Sequence, residues 1–292
     1  MNRRGKLTTL EEAGHLIQDG MILAIGGYLN NNHPMALVRE IVRRNIKHLY
    51  LVTCIAAGIE ADLLIGAGCV DTIQAPFVGG EWLGFMPNFR KKAERGEIKI
   101  KEIDEHHTLC SLRAAAFDLP FLPTRVGLGT DLLQVNKDLK VFNDPIRGET
   151  LVAVPPIKPD VAILHAQRAD AYGNVQHRGS VFLDHLMAQA ANKVIVMVEE
   201  VVPLEVILAD PKKTTIPSYI VDAVVRVPYG AHPCSSHGCY KLDEVYYREY
   251  LNAAKNEETY RTHLDHYIFN VSSHEEYLEK IGIKRLLGLS MN

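Results

Sequence analysis

An α/β fold, with an open, mostly parallel sheet, flanking helices and a helical C-terminal appendage, is what this 292-residue sequence predicts. Three observations carry that expectation. Short continuous apolar runs recur, as in strands buried on both faces. Between them lie segments whose apolar residues fall at helical spacing. From Leu242 onward the chain is charged and Tyr-rich, with helical spacing and no strand. Repeated alternation of the first two patterns is the mark of βα units around a parallel sheet. No low-complexity linker or internal repeat interrupts the chain, so residues 1–292 are expected to form one domain, with a helical tail over about 242–292.

The elements follow in order. Thr8 and Glu11 stand at capping-box spacing before Leu10, Ala13 and Ile17, which predicts a first helix stopped by Asp19-Gly20. Met21 to Ile25 is the first buried strand. Pro34 suits the first position of a second helix, whose inner face is Leu37, Val38, Ile41 and Val42. Strands are expected at Leu49 to Thr53 and Val70 to Phe77, then a charged helix around Phe89 to Arg95. A strand at Ile98 to Ile103 leads into a helix from about His106 to Phe117, ended before Pro120. Asn143 to Gly148 is a turn-rich connection. Strands at Val161 to Leu164 and Val194 to Val198 flank a helix at Val181 to Ala191, and Val221 to Val227 is the last strand.

Composition narrows the function. Thirty-two Lys and Arg against 35 Asp and Glu give a formal charge of −3, so no basic excess exists to neutralise the phosphates of a nucleic acid. No apolar stretch is long enough to cross a bilayer, and the basic start is not followed by an apolar h-region, so no membrane association or secretory signal is expected. Five cysteines, an odd number, fit a reducing compartment better than a disulfide framework, and the expected location is the cytoplasm.

In open α/β sheets ligands bind outside the carboxyl ends of the strands, which directs attention to three loops. The first is Gly26-Gly27-Tyr28-Leu29-Asn30-Asn31-Asn32-His33-Pro34. Gly26 and Gly27 let the backbone approach a ligand, while Asn30, Asn31 and Asn32 supply uncharged donors and acceptors. The helix beginning near Pro34 adds free N–H groups suited to a phosphate or carboxylate. The plainer reading is a tight turn whose asparagines tolerate left-handed backbone, and the two stand about even. The second loop is Val78-Gly79-Gly80-Glu81, where a glycine-stopped strand is the plainer reading. The third is Asp104-Glu105-His106-His107 at a strand-to-helix junction. Acids there ordinarily cap the helix, but a carboxylate at this edge also serves as base or nucleophile.

Other motifs are weaker. Gly127-Leu128-Gly129 lacks the third glycine of a dinucleotide fingerprint and stands far from the first βα unit. His232, Cys234, His237 and Cys239 have a metal-like spacing but no second knuckle, so no metal is assigned. Cys54 and Cys110 lie in apolar surroundings and read as inert core thiols.

Asp19-Gly20, the apolar Leu23 to Ile25, then Gly26-Gly27-Tyr28 with Pro34 six residues on, resemble the signature of family I CoA-transferase α subunits. Tyr28 replaces its Phe and Asn32 its later Gly. Leu151 to Pro155, Asp160 to Gln167, Glu199-Glu200 and Val221 to Val225 through Pro228 to Pro233 resemble the glutaconate-type α subunit in order and spacing, over nearly the whole chain. The resemblance implies a heteromeric CoA-transferase acting on acyl-CoA thioesters of small acids, dicarboxylic ones among them. It also implies a β subunit that supplies the nucleophilic glutamate, coenzyme A as substrate moiety and no permanently bound cofactor. By the same resemblance the Gly26-Gly27 and Val78-Gly79-Gly80 loops line the shared acyl and CoA site. Glu105 stands where those transferases usually carry Gln, an oxyanion donor; an ionised carboxylate cannot donate. Glu at this place, with Asp104 and Leu119 to Pro123, is similar instead to the α subunit of steroid ring-opening CoA-thioester hydrolases of the same fold, in which Glu105 would act as base. A decarboxylase is a further offshoot of that fold.

Overall fold

A computed structural model describes residues 4–291 of the chain; of the basic start, Met1, Asn2 and Arg3 lie outside the described residues. The first half runs β1 (Leu7–Thr8), α1 (Leu10–Gly14), β2 (Ile22–Ile25), α2 (Met35–Arg43), β3 (Leu49–Thr53), β4 (Ala56–Ala57), α3 (Ile59–Gly66), β5 (Val70–Gln74), β6 (Phe77–Val78), α4 (Pro87–Glu94), β7 (Lys99–Ile100) and α5 (Glu105–Ala116). Next come β8 (Leu122–Thr124), α6 (Leu132–Val135), β9 (Lys140–Asn143), β10 (Thr150–Val154), β11 (Val161–Ala169), β12 (Val175–Gln176), α7 (Asp184–Ala190) and β13 (Lys193–Val201). The chain ends with α8 (Leu204–Ala209), β14 (Ala223–Arg226), α9 (Glu244–Ala253), α10 (Glu257–Leu264), α11 (His274–Ile281) and α12 (Ile283–Leu289).

The main sheet has the order β1-β14-β13-β11-β2-β3-β5-β7, every neighbouring pair parallel, with β12 added antiparallel on β11. From β2 the chain winds outward through β3, β5 and β7. From β11 it winds the other way through β13 and β14. The reversal falls between the adjacent strands β2 and β11, and such a switch point opens a crevice at the carboxyl ends of the two strands.

Both faces of the sheet are covered, which is why its strands read as unbroken apolar runs. Leu23, Ile25, Leu51, Ile163 and Met197 point into a core shared with α2, α3 and the C-terminal helices α9 to α12. Ala24, Val52, Leu164 and Val198, one residue out of phase, pack on the other face against Leu112 of α5 and Met187 of α7. The C-terminal helices thus bury their tyrosines against the sheet: Tyr247, Tyr250 and Tyr277 are almost fully inaccessible.

Several boundaries differ from expectation for local reasons. The capping box is Thr9 with Glu12, each bonding the other's backbone N–H at 3.1 Å; the pair Thr8 and Glu11 has the same spacing, so sequence could not choose. The run Val70 to Phe77 is two strands, because Pro76 has no N–H to continue the ladder, and β6 pairs instead with β4. The expected strand Ile98 to Ile103 shrinks to Lys99–Ile100 at the sheet edge, and the helix expected from Val181 begins at Asp184. A three-stranded antiparallel sheet, β8-β10-β9, has no counterpart in the sequence pattern, since Pro123 and the exposed β9 hide it. The turn-rich Asn143 to Gly148 stretch joins β9 to β10, with Asp144 accepting the N–H groups of Ile146, Arg147 and Glu149.

The tail carries a pH liability. Burial pushes His263 down to about 4, and burial together with Arg39 pushes His274 down to about 3. The unfolded chain takes up those protons below about pH 6.5, whereas the folded chain does not until far lower. Stability is therefore complete above that value and falls as the pH drops toward 4, by up to ~1.4 kcal/mol per pH unit for each histidine. Melting temperatures measured at about pH 7.5 and about pH 5 should show the loss; equal values would refute it.

Candidate functional site at the carboxyl edge of the sheet

The loop after β2 sits at the switch point. Gly26 N–H donates to Ile163 O of β11, and Gly27 N–H donates to the buried Asp184 carboxylate at 2.9 Å. Gly27 has φ 88°, and a Cβ there would stand 2.6 Å from Asn31 O, so only glycine fits the turn. Tyr28 and Asn31 exchange backbone hydrogen bonds at 2.9 Å. Helix α2 begins at Met35, directly after Pro34.

Neighbouring loops are bonded to this one in series. Leu29 N–H donates to Ala56 O, and Gly79 N–H to Ala57 O, so the segments after β2, β3 and β5 form one ledge. Gly80 N–H is committed to Gly84 O. Gly26, Gly27, Gly79 and Gly80 are all buried and their N–H groups are taken, so what they bring is the shape of the ledge. Val78, in β6, is half-buried.

The three asparagines divide. Asn32, with φ 55°, accepts from Gln167 Nε2 at 3.0 Å; Asn31 accepts from the Ser235 hydroxyl at 2.5 Å. Asn30 is only 2% exposed and neither atom of its amide has a partner. Left-handed backbone thus explains Asn32, whereas Asn30 keeps a buried, unengaged amide.

On the ledge, the Tyr28 ring stacks on Phe182 with centroids 4.6 Å apart. Burial, then the charges of Glu105 and Glu81, push the Tyr28 hydroxyl above its ordinary value. Glu105 is exposed and is the first residue of α5. It does not cap that helix: Asp104 does, accepting His107 N–H at 3.0 Å. His107 also bonds Val126 O, and a Cβ on Gly127 would stand 3.0 Å from its ring, so the Gly127 to Gly129 turn braces the start of α5. Cys54 beneath the ledge is no nucleophile. Burial and the Asp184 charge push its thiol up to about 12.

Sequence reasoning passes over Phe182, Asp184 and the network behind the loop. Glu199, at the end of β13, accepts from Tyr240 Oη at 2.6 Å and Tyr229 N–H at 2.7 Å and lies 3.0 Å from His165 Nε2. Ser236 and Gln167 link that cluster to Asn32. The available signal was position: polar residues at the carboxyl ends of buried strands. Of the metal-like spacing, His232 is held between Tyr277 and Asp243 and Cys234 is buried. Among the described residues no group of three or more His, Cys, Asp or Glu could hold a metal ion, and no helix is long and apolar enough to cross a membrane.

An open, mostly parallel sheet covered by helices on both faces, with a glycine ledge at its switch point, defines a doubly wound α/β chain. The Coenzyme A transferase family profile matches residues 7–227, and the chain belongs to that family, on its α-subunit side. The α-type subunit of 3-oxoadipate CoA-transferase from Pseudomonas knackmussii is 36% identical, covering 95% of this chain and 98% of its own. The corresponding subunit of glutaconate CoA-transferase from Acidaminococcus fermentans is 34% identical, and the crystal structure of that enzyme superposes with TM-score 0.93 over 98% of this chain and 96% of that one. A cholesterol ring-cleaving hydrolase IpdA subunit from Rhodococcus jostii is also 34% identical, over 92% of this chain and 93% of its own. The chain spans only 62% of the length of an uncharacterized protein from Archaeoglobus fulgidus to which it is 38% identical.

Proposed function

We propose that this chain is the α subunit of a heteromeric, cytoplasmic CoA-transferase that moves coenzyme A between small carboxylic acids in catabolism. A β subunit supplies the glutamate that attacks the acyl-CoA thioester. In this reading Gly26, Gly27, Asn30, Asn31, Asn32, Val78, Gly79 and Gly80 shape the acyl and CoA wall, and coenzyme A enters only as the substrate moiety. The observation that supports it most is the ledge itself, three loops bonded in series at the switch point of the sheet with Cys54 buried beneath them. Phe77, Trp82 and Phe85, exposed by 47%, 62% and 75%, flank the ledge and suit a covering partner.

A second reading is favoured by Glu105, which stands free of the cap and exposed at the start of α5, its charge felt at the Tyr28 hydroxyl. There the chain serves a CoA-thioester C–C hydrolase or decarboxylase, with Glu105 as general base. Expression alone and together with a β-type chain, with CoA-transfer and hydrolysis assays on both, tests the shared premise. The chain alone is expected to self-associate and be inactive, and the pair to turn over thioester. A monodisperse, active single chain would overturn the reading of this protein as one half of a heteromer.

A further inference from the structure

Behind the ledge, the buried His33 is surrounded by acceptors. Its Nδ1 lies 2.8 Å from Gly26 O and its Nε2 2.8 Å from Leu29 O, with Glu60 Oε2 at 3.3 Å from the same nitrogen. Both side chains are 1% exposed. A neutral imidazole carries one N–H and one lone pair. With a carbonyl at 2.8 Å from each nitrogen, a bare nitrogen would set its lone pair against a buried oxygen, an arrangement that water cannot relieve. Two N–H donors satisfy both contacts, and Glu60 then balances the charge.

We propose that His33 is a positioning residue in its doubly protonated form: an imidazolium paired with Glu60 that draws the carbonyls of Gly26 and Leu29 inward and so holds Tyr28 at the ledge. The two carbonyls bracket Gly27 and Tyr28, so the clasp fixes the segment that stacks on Phe182. Glu60 extends it sideways. Its carboxylate accepts Gly58 N–H at 3.0 Å, and Gly58 lies against Leu29 O, which ties the β2 loop to the β3 loop. Burial raises the Glu60 carboxyl above its usual range, and His33 and the Gly58 N–H offset part of that rise.

The other groups around the pair are accounted for. From α9 the Tyr247 hydroxyl is buried, and burial first of all holds its proton firmly. Cys234 is buried, its thiol pushed well up by burial and by Glu60. Asp62 on α3 is engaged by Phe89 N–H, Asn88 and Tyr250, Asp184 by Gly27 N–H, and Arg39 on α2 by His232 O and His274. Among the described residues, Glu60 is the carboxylate that faces His33.

The consequence for turnover rests on the ledge being the acyl site; the protonation state does not. Nitrogen NMR of the ¹⁵N-histidine-labelled chain in complex with its β partner, assigned by loss of one signal set in His33→Gln, reads the ring directly. Two protonated ring nitrogens are expected. One protonated and one bare nitrogen would overturn the proposal. In Glu60→Gln the ring should lose a proton and kcat should fall by on the order of 10²-fold with little change in KM, as a displaced loop would cause. A folded Glu60→Gln with native kcat would overturn the positioning role. Lack of any thioester turnover by the native complex would overturn the functional reading alone, while the ring signals still decide His33.

Discussion

Replacing Glu105 with Gln is expected to separate the two reactions by orders of magnitude. The amide keeps the shape of the side chain but cannot accept a proton. If the chain serves a hydrolase or decarboxylase with Glu105 as base, turnover falls about 10²–10⁴-fold with little change in acyl-CoA binding. If it serves a transferase, the amide restores a donor toward the developing thioester oxyanion, and transfer holds or rises. Stability should hardly move, because Asp104, not Glu105, bonds the free N–H of α5. The measurement is steady-state kinetics of the α–β complex on CoA-transfer and hydrolysis readouts, with a melting curve alongside. An unchanged hydrolysis rate in a complex that hydrolyses the thioester would remove Glu105 as its base.

The largest stability effect is expected at Asp243. This side chain, 2% exposed, accepts from Arg285 at 2.6 and 2.8 Å, from His232 at 3.0 Å and from Tyr246 N–H at 3.0 Å, where it caps α9. Burial raises its carboxyl, but hydrogen bonds from His232 and Arg285 outweigh that and hold it well below the usual carboxylate range. Asp243→Ala takes the carboxylate from the buried His232, leaves Arg285 only Glu249 at 3.7 Å and removes the cap, for a loss of about 3–5 kcal/mol in denaturant unfolding. A loss below ~1 kcal/mol would show that the network is not holding the tail. The same carboxylate adds acid sensitivity. Its contribution is complete above the unfolded value near 3.9 and disappears as the pH falls from there toward its lower folded value.

Much of the fold was legible because both faces of the sheet are buried. Leu49 to Thr53, Val161 to Leu164 and Val194 to Val198 announce themselves as apolar runs, and Pro34 and Pro120 punctuate their helices as expected. The antiparallel sheet was not legible. Its strands are short, one holds Pro123, and β9 is mostly exposed, so no period-two pattern survives.

The candidate site divides in the same way. Gly26-Gly27, Val78 to Gly80 and Asp104-Glu105 could be picked out in the chain because loops after buried strands are where ligands bind. Which atoms within them remain free could not. Gly27 N–H goes to Asp184, 157 residues away, Asn32 to Gln167, and the helix cap to Asp104 rather than its neighbour.

By itself, then, the sequence determined the α/β class, the mostly parallel character of the sheet, the family resemblance and the loops to watch, since burial periodicity and turn chemistry are local properties of the chain. Only the tertiary structure decided that β2 meets β11 at the switch point, that Phe182 stacks on Tyr28, and that His33 lies between two carbonyls and Glu60. Those depend on hydrogen bonds and packing between segments far apart in the chain, and a hydrogen bond's partner is set by which groups burial brings together, not by residue type alone.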